Sequence, residues 1–463
     1  MALPDGAIDW VEERCAGRVT DIEQQVRWRP HHFLTVDRPD GTMRLLVRSE
    51  RQGVFGGSKF QQHFDLAHEA RVLEALQGHG VKVPKFYGFN DEHRFILMEC
   101  VDGTNELKDA PDDETRQRVM DEYIEQLVGL HRLDLESMAF SGLKVPTTPQ
   151  ETAFGAKFGY VEEDWAVWRQ HLRPEPLLEL GLWWLHANVP QGERRISFIQ
   201  GDTGPGQFMF ANGHLTALID WELSHVGDPM LDLGVIRMRN MLYPTGSLRR
   251  PIAYYEEVSG SPLDWQALCF YTVMSMLLTP IGVSPIMQHP SAHIEPAFPA
   301  FGWNATLRRG LTDALAEATG VEIEAPELPQ PAAPPWPGLI DYLVEYLDIK
   351  CAPIETDDAG RFEISAATSI ARAVQLESAV GAALLDADLN DMGKVLGGRR
   401  PAGREDGLAR LNELVAARPQ ERLEELIWLF GRTERRREYL HKPMMIAQES
   451  GEFEPLAPRK VTR

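Results

Sequence analysis

Two apolar, strand-like runs in the middle of this chain each deliver an aspartate into a turn, and no other feature constrains the fold as much. In FIQGDTGPGQFMF, residues 198–210, the apolar run stops at Gln200. Gly201, Asp202 and a Gly/Pro-rich turn follow, and the chain turns apolar again at Phe208. Asp and Gly are common turn residues, so this stretch alone reads as a plain loop. Further on, LTALID ends at Asp220 with Trp221 and Glu222 behind it, and GDPMLDL brings Asp228 and Asp232. Burying a carboxylate at a strand end is costly unless it is paired or holds a metal. Two such aspartates beside turns fit a divalent cation, because magnesium takes one or two carboxylates plus phosphate oxygens. One can hold metal while the other accepts a proton from an attacking hydroxyl. Asp228 and Asp232, next to a Gly-Pro turn, are expected to brace the loop and the helix after it.

The surrounding periodicity places this pair in an α+β chain. Residues 17–50 alternate as hairpin-connected strands, with a turn at PDG, 39–41. From Asp65 the period becomes helical through Leu66, Ala70, Val72, Leu73 and Leu76. KVPKFYGF and RFILMECVDG read as two further strands, the second ending at Gly103. Helical patterns follow at 112–133 and 160–190, where Trp165, Trp168, Trp183 and Trp184 are expected in core packing. Residues 252–320 are mostly helical, with an irregular Pro/His passage near 280–300. EAPELPQPAAPPWPG, 324–338, holds six prolines and is expected to be a stiff linker. Beyond it, ERLEELIWLF and RTERRREYL form one amphipathic helix with Arg435–Arg437 on its solvated face. The expected divisions are 1–103, 104–323, the linker 324–338 and a helical module 339–463.

Composition narrows the partners. A formal net charge of -22 argues against nucleic acid or an anionic membrane as the main partner. Cys15, Cys100, Cys269 and Cys351 lie far apart without CxxC spacing, as in a cytosolic protein with reduced thiols. MALPDGAIDW has neither the basic nor the apolar region of a secretory leader, and the apolar stretch 268–281 reads as too short and interrupted to span a bilayer. The expectation is a cytoplasmic protein. GVFGGSKF, 53–60, lacks P-loop spacing and reads as a lobe loop with Lys59 able to reach a phosphate. Adjacent His31 and His32 cannot face one metal from a strand, and His131 reads as a helix-end residue.

The order Gln200-Gly201-Asp202, four residues, Gln207, then Ile219-Asp220-Trp221-Glu222 and Gly227-Asp228-Pro229 through Asp232-Leu233 resembles the catalytic core of the aminoglycoside phosphotransferase and choline kinase-like superfamily. The resemblance covers about residues 17–310. It implies a protein-kinase-like two-lobe fold, with an N-terminal antiparallel sheet plus helix and a mostly helical C-terminal lobe, followed here by a separate all-helical module. It implies that Asp202 faces the acceptor hydroxyl, that Asp220 and Gln207 bind Mg²⁺, and that Arg48 and Glu69 supply the strand cation and its helix partner. Met98, Glu99 and Cys100 would be the hinge beside the adenine of ATP or GTP. The segment EARVLEALQGHGVKVPKFYG resembles phosphotransferases whose acceptors include hydroxyacyl-CoA thioesters and other alcohols.

Three positions depart from the pattern. Arg48 stands for Lys and recognises phosphate as a fork. Gln200 stands for His, largely a scaffold position. Gln207 stands for Asn with a stem one methylene longer. The leading reading is a Mg²⁺-dependent phosphotransferase acting on a small-molecule hydroxyl with ATP or GTP. A nucleotide-binding pseudokinase scaffold and an aminoglycoside-type antibiotic kinase stay open, as does a homo-oligomer through the helical module.

Overall fold

Alternating burial over the first hundred residues builds an antiparallel sheet. The computed structural model describes residues 3, 6–25, 31–50, 58–136, 143–292, 297–331, 338–417, 419–445 and 451–457. The strands are β1 (Arg18–Gln25), β2 (His31–Arg38), β3 (Gly41–Ser49), β4 (Phe86–Asn90), β5 (Phe95–Glu99), β6 (Ser197–Ile199), β7 (Phe208–Ala211), β8 (His214–Leu218) and β9 (His225–Gly227). The first helices are α1 (Ala7–Cys15), α2 (Lys59–His63), α3 (Leu66–Leu76), α4 (Asp113–His131), α5 (Pro149–Phe154), α6 (Lys157–Trp168), α7 (Pro176–Ala187) and α8 (Met230–Leu242). The rest are α9 (Arg249–Ser259), α10 (Trp265–Gln288), α11 (Ala297–Thr319), α12 (Leu339–Tyr346), α13 (Asp358–Val395), α14 (Arg404–Ala417) and α15 (Leu423–His441).

Contacts divide the chain into two units. The first comprises Met1–Asp164, Pro190–Asn240 and Thr245–Asp264; the second comprises Trp165–Val189, Met241–Pro244 and Trp265–Arg463. This division does not follow the proline-rich stretch, of which residues 332–337 lie outside the described residues.

In the first unit the sheet order is β1-β2-β3-β5-β4. Leu34, Val36, Leu45, Val47, Phe95 and Leu97 form its core with Val11 of α1, a helix the sequence pattern did not suggest. β5 ends at Glu99 rather than Gly103. Asp65 caps α3 by accepting from the His68 N–H at 2.8 Å. The β7–β8 hairpin turns at Asn212-Gly213, both at positive φ, the geometry an Asn-Gly pair is suited to. Of the loop 53–60, residues 53–57 lie outside the described residues. Lys59 lies 3.6 Å from Glu163 at an exposed ion pair.

In the second unit α10 and α11 pack together, and α15 packs on α11. Two expectations are corrected here. Pro280 and Pro285 lie inside α10, so the region near 280 is helical, and its 24 residues are long and apolar enough to cross a membrane by length and composition. Its most apolar window is 89% buried in the protein, which accounts for the hydropathy as core packing. Arg436 is not on a solvated face either: it is 3% exposed and ion-paired with Asp388 at 2.8 Å, because buried carboxylates on α13 supply its partners. Trp165 and Trp184 are core residues as expected, whereas Trp168 and Trp183 are only partly buried.

Candidate active site

The first unit gathers five of the expected site residues on four separate segments. Arg48, near the end of β3, is 9% exposed. Its Nε donates to Glu69 Oε2 on α3 at 2.8 Å, and its Nη2 donates to Asp220 Oδ1 at 2.7 Å. Glu222 Oε2 lies 3.4 Å from the same Nη2, and His31 Nε2 lies 3.3 Å from Nη1. Burial alone would lower the Arg48 pKa, but the charges of Glu69, Asp220 and Glu222 more than offset it and raise it.

Asp220 sits just past β8 in the left-handed region, at φ 63°. That conformation is strained for a residue other than glycine. The peptide before it is held at both ends. The Ile219 N–H donates to the Gln207 carbonyl at 3.0 Å, and the Ile219 carbonyl accepts from Gln200 Nε2 at 2.8 Å. Gln200 in turn accepts from the Tyr123 hydroxyl at 3.1 Å, so it works as scaffold between the two aspartate turns.

The turn carrying Asp202 is gripped from opposite sides. Asp232 accepts from the N–H groups of Gln200 and Gly201 at 2.9 and 2.8 Å. His131 is more than a helix end: it is buried, with Nε2 3.0 Å from Asp232 and Nδ1 2.8 Å from the Tyr255 hydroxyl. Lys157, at the start of α6 and 6% exposed, donates from Nζ to the Gly201 carbonyl at 2.6 Å. Burial pushes the Lys157 pKa down, opposed by Asp202 and Asp232. Only glycine fits at 201, where φ is 80° and a Cβ would meet the Leu223 carbonyl at 2.1 Å. Asp228 braces the start of α8, accepting from Met230 N–H at 2.9 Å, and pairs with Arg194.

Within this frame Arg239 of α8 donates from Nη1 to both carboxylate oxygens of Asp202, at 3.0 and 3.1 Å. Gln207 lies between the two aspartates. Its Nε2 donates to Asp202 Oδ2 in a short bond and to Asp220 Oδ2 at 3.3 Å. Met98 and Glu99 lie at the end of β5, with Cys100 directly after it. The Glu99 and Cys100 N–H groups are engaged in the sheet, by the carbonyls of Lys85 at 2.9 Å and Arg44 at 3.2 Å.

Sequence reasoning missed Arg239, Lys157 and Glu222. The signal for Arg239 was an arginine inside the apolar run of α8 (VIRMRNML), where a cation needs a partner. Glu222 stood in the quoted Ile219–Glu222 motif without a role being assigned to it, and Lys157 carried no comparable signal. Among the described residues no group of three or more His, Cys, Asp or Glu could hold a metal ion by itself. The hard oxygen donors of Asp220 and the Gln207 amide fit a magnesium ion that takes its other ligands from phosphate and water. Gln207 would have to turn its amide to offer oxygen.

Residues 33–271, just over half of the chain, match the phosphotransferase enzyme family, APH. The chain belongs to this family. A solved structure from Ralstonia eutropha, assigned as an aminoglycoside phosphotransferase, shares the kinase-like fold with a TM-score of 0.50 and 22% identity, covering 66% of this chain and 94% of its own. Acyl-CoA dehydrogenase family member 11 of Pongo abelii is 24% identical over 231 residues, 46% of this chain and 28% of that protein. Acyl-CoA dehydrogenase family member 10 of Mus musculus is 24% identical over 225 residues, 44% of this chain and 20% of that protein. The chain thus spans about a quarter of the length of these curated relatives. Residues 33–271 thus place the chain in the phosphotransferase enzyme family, with a kinase-like fold.

Proposed function

We propose that this phosphotransferase moves the γ-phosphoryl group of ATP, or of GTP, to the hydroxyl of a small alcohol such as a hydroxyacyl-CoA. The observation that carries the reading is the placement of Asp202 and Asp220 on either side of the Gln207 amide. Asp202 accepts the proton of the acceptor hydroxyl as its oxygen bonds to phosphorus and the nucleoside diphosphate leaves. Arg48, oriented by Glu69, offers a fixed positive charge to the nucleotide phosphates. Asp220 and Gln207 would hold magnesium, which supplies charge neutralisation between the phosphates. The backbone around Met98–Cys100 lines the adenine. Both curated relatives carry an acyl-CoA dehydrogenase name, which supports an acyl thioester bearing a hydroxyl over an antibiotic as acceptor.

A pseudokinase reading rests on one observation, that Arg239 holds both oxygens of Asp202. ADP release across a panel of hydroxyacyl-CoAs and simple alcohols, with wild type and Asp202→Asn, separates the two. Turnover in wild type that Asp202→Asn abolishes, with ATP binding nearly intact, supports the kinase. Metal-independent ATP binding without turnover for any acceptor supports the scaffold.

A further inference from the structure

In the second unit α11 and α15 run antiparallel. The Arg308 guanidinium meets Glu434, and the Phe301 ring packs edge-on to His441 with 6.1 Å between centroids. Between those two contacts the polar groups go unmatched. The Arg437 side chain, on the turn of α15 between Glu434 and His441, is 23% exposed. Its guanidinium makes no hydrogen bond among the described residues, and its one ion pair is long, from Nε to Glu434 Oε2 at 3.5 Å. One turn further on, His441 Nδ1 is buried without a partner, and one turn back so is Thr433 Oγ1. The four-residue spacing puts Thr433, Arg437 and His441 along one stripe of α15. On α11, Asn304 is 5% exposed and its Oδ1 is unpaired as well. It stands at i+3 from Phe301, on the face whose i+7 residue is Arg308.

We propose that Arg437 and His441, with Arg404 at the start of α14, bind a phosphate group. Buried donors without acceptors are costly. Water would hydrogen-bond to them but would leave the charge as it stands. Three guanidinium groups, Arg308, Arg404 and Arg437, act on one another here against the carboxylates of Glu434 and Glu175. Both carboxylates are taken by Arg308, which donates to Glu434 at 3.0 and 2.9 Å and to Glu175 at 2.9 Å. Asp388, 3.5 Å from Arg404, is held more closely by Arg436 at 2.8 Å. Burial, and next the charge of Arg308, pull the Arg437 pKa down, opposed by Glu434 and Glu175. The charges of Arg308 and Arg404 bear on His441 too. An anion answers both deficits, because it accepts from the unmatched donors and offsets the like charges. A guanidinium fork and an imidazole on successive turns suit the several oxygens of a phosphate.

The inference is independent of the phosphotransferase reading and is tested on the full-length chain. Thermal melts are compared in phosphate-free buffer and with about 10 mM inorganic phosphate, the ionic strength matched with sodium chloride. Phosphate held at the nucleotide site of the first unit acts alike on wild type and variants, so the difference between them reads this site. Wild type is expected to gain about 2 °C or more, and Arg437→Met to lose that gain. His441→Phe, which keeps the ring against Phe301, gives a second reading should loss of the arginine unsettle the fold. It is expected to bind phosphate about fivefold more weakly. Glycerol phosphate in place of inorganic phosphate separates the two sources. An equal gain assigns the site to a phosphate on a larger molecule, and a gain with inorganic phosphate alone assigns it to the free ion. Wild type that gains nothing from either compound overturns the proposal. So does a gain that Arg437→Met and His441→Phe keep in full.

Discussion

Arg48 on β3 lies 2.7 Å from the carboxylate of Asp220, 172 residues later in the chain, while the same guanidinium holds Glu69 of α3 at 2.8 Å. One fork therefore ties the sheet to the helix beside it and to the turn after β8. Glu69 is only 1% exposed, so removing its partner leaves a buried, uncompensated charge. Arg48→Met is expected to cost about 3–5 kcal/mol of stability. Arg48→Lys keeps the charge, but one ammonium is poorly shaped to span both carboxylates, and an intermediate loss is expected. Urea denaturation of the three proteins checks the order. A Met variant as stable as wild type would mean that the bridge contributes nothing.

Gln207 joins Asp202 to Asp220 through one amide nitrogen. In the magnesium role its oxygen must replace that nitrogen, which a rotation of the amide achieves without moving the backbone. Gln207→Asn is expected to keep activity, since Gly204 and Gly206, both at positive φ, give the turn latitude. Gln207→Leu removes both the donor and the oxygen, so the link between the two carboxylates is lost while Arg239 and Arg48 still hold Asp202 and Asp220. The Mg²⁺ concentration needed for ADP release should rise strongly, about tenfold or more. Identical Mg²⁺ titrations for wild type and Leu would sink the metal role.

Most of the strands and helices, α1 excepted, were legible because each carries a local signal. Alternation in 31–49 marks the sheet, Asp65 announces α3, and Asn212-Gly213 announces the β7–β8 turn. The two aspartate turns were legible because a carboxylate at a buried strand end needs a reason. Arg239 and Lys157 were not, because their roles depend on which helix passes the Asp202 turn, and nothing near them in sequence states that. The run Arg435–Arg437 misled for the same reason: Asp313, Asp388 and Asp391, which pair with Arg435 and Arg436, lie on other helices, and Glu434 alone is a neighbour on the same helix face. Periodicity reports a face, and it does not report what the face meets.

Burial at His225 gives the stability a pH dependence. The imidazole packs edge-on to Phe64, its Nδ1 lies 2.9 Å from the Leu223 carbonyl, and burial lowers its pKa to about 4. In the unfolded chain the same group titrates near 6.5. As the pH falls below about 6.5 the unfolded state binds the proton first, so the contribution is complete above that pH and is lost on the way down to about 4. His68 and His441 are also shifted downward by burial and steepen the same slope. His225→Gln removes one titrating group. Denaturation at pH 7.5 and at pH 5, compared between wild type and this variant, should show a shallower loss in the variant. Equal losses in both would assign the acid sensitivity elsewhere.

The C-terminal helices are bound to α11 by buried ion pairs, and this bears on whether the chain can be cut at its prolines. Arg308 of α11 donates to both carboxylate oxygens of Glu434 on α15, at 3.0 and 2.9 Å, and to Glu175 at 2.9 Å. Arg309 pairs with Glu438 at 2.6 Å, and Asp313 pairs with Arg435 at 2.7 Å. Ile323 packs where a Cβ at Gly431 would sit, leaving no room for one. A fragment ending at Pro329 keeps Arg308 and Arg309 but loses Glu434 and Glu438, leaving buried guanidinium groups short of carboxylates. It is expected to be insoluble or to melt well below the full chain. Glu434→Ala tests one pair without truncation and should cost about 3–5 kcal/mol, while Glu434→Gln, which keeps the shape and an acceptor oxygen, should cost less. A soluble 1–329 fragment that melts cooperatively at the temperature of the full chain would show that the helices beyond the prolines fold apart from α11, and that these ion pairs join two independently stable parts.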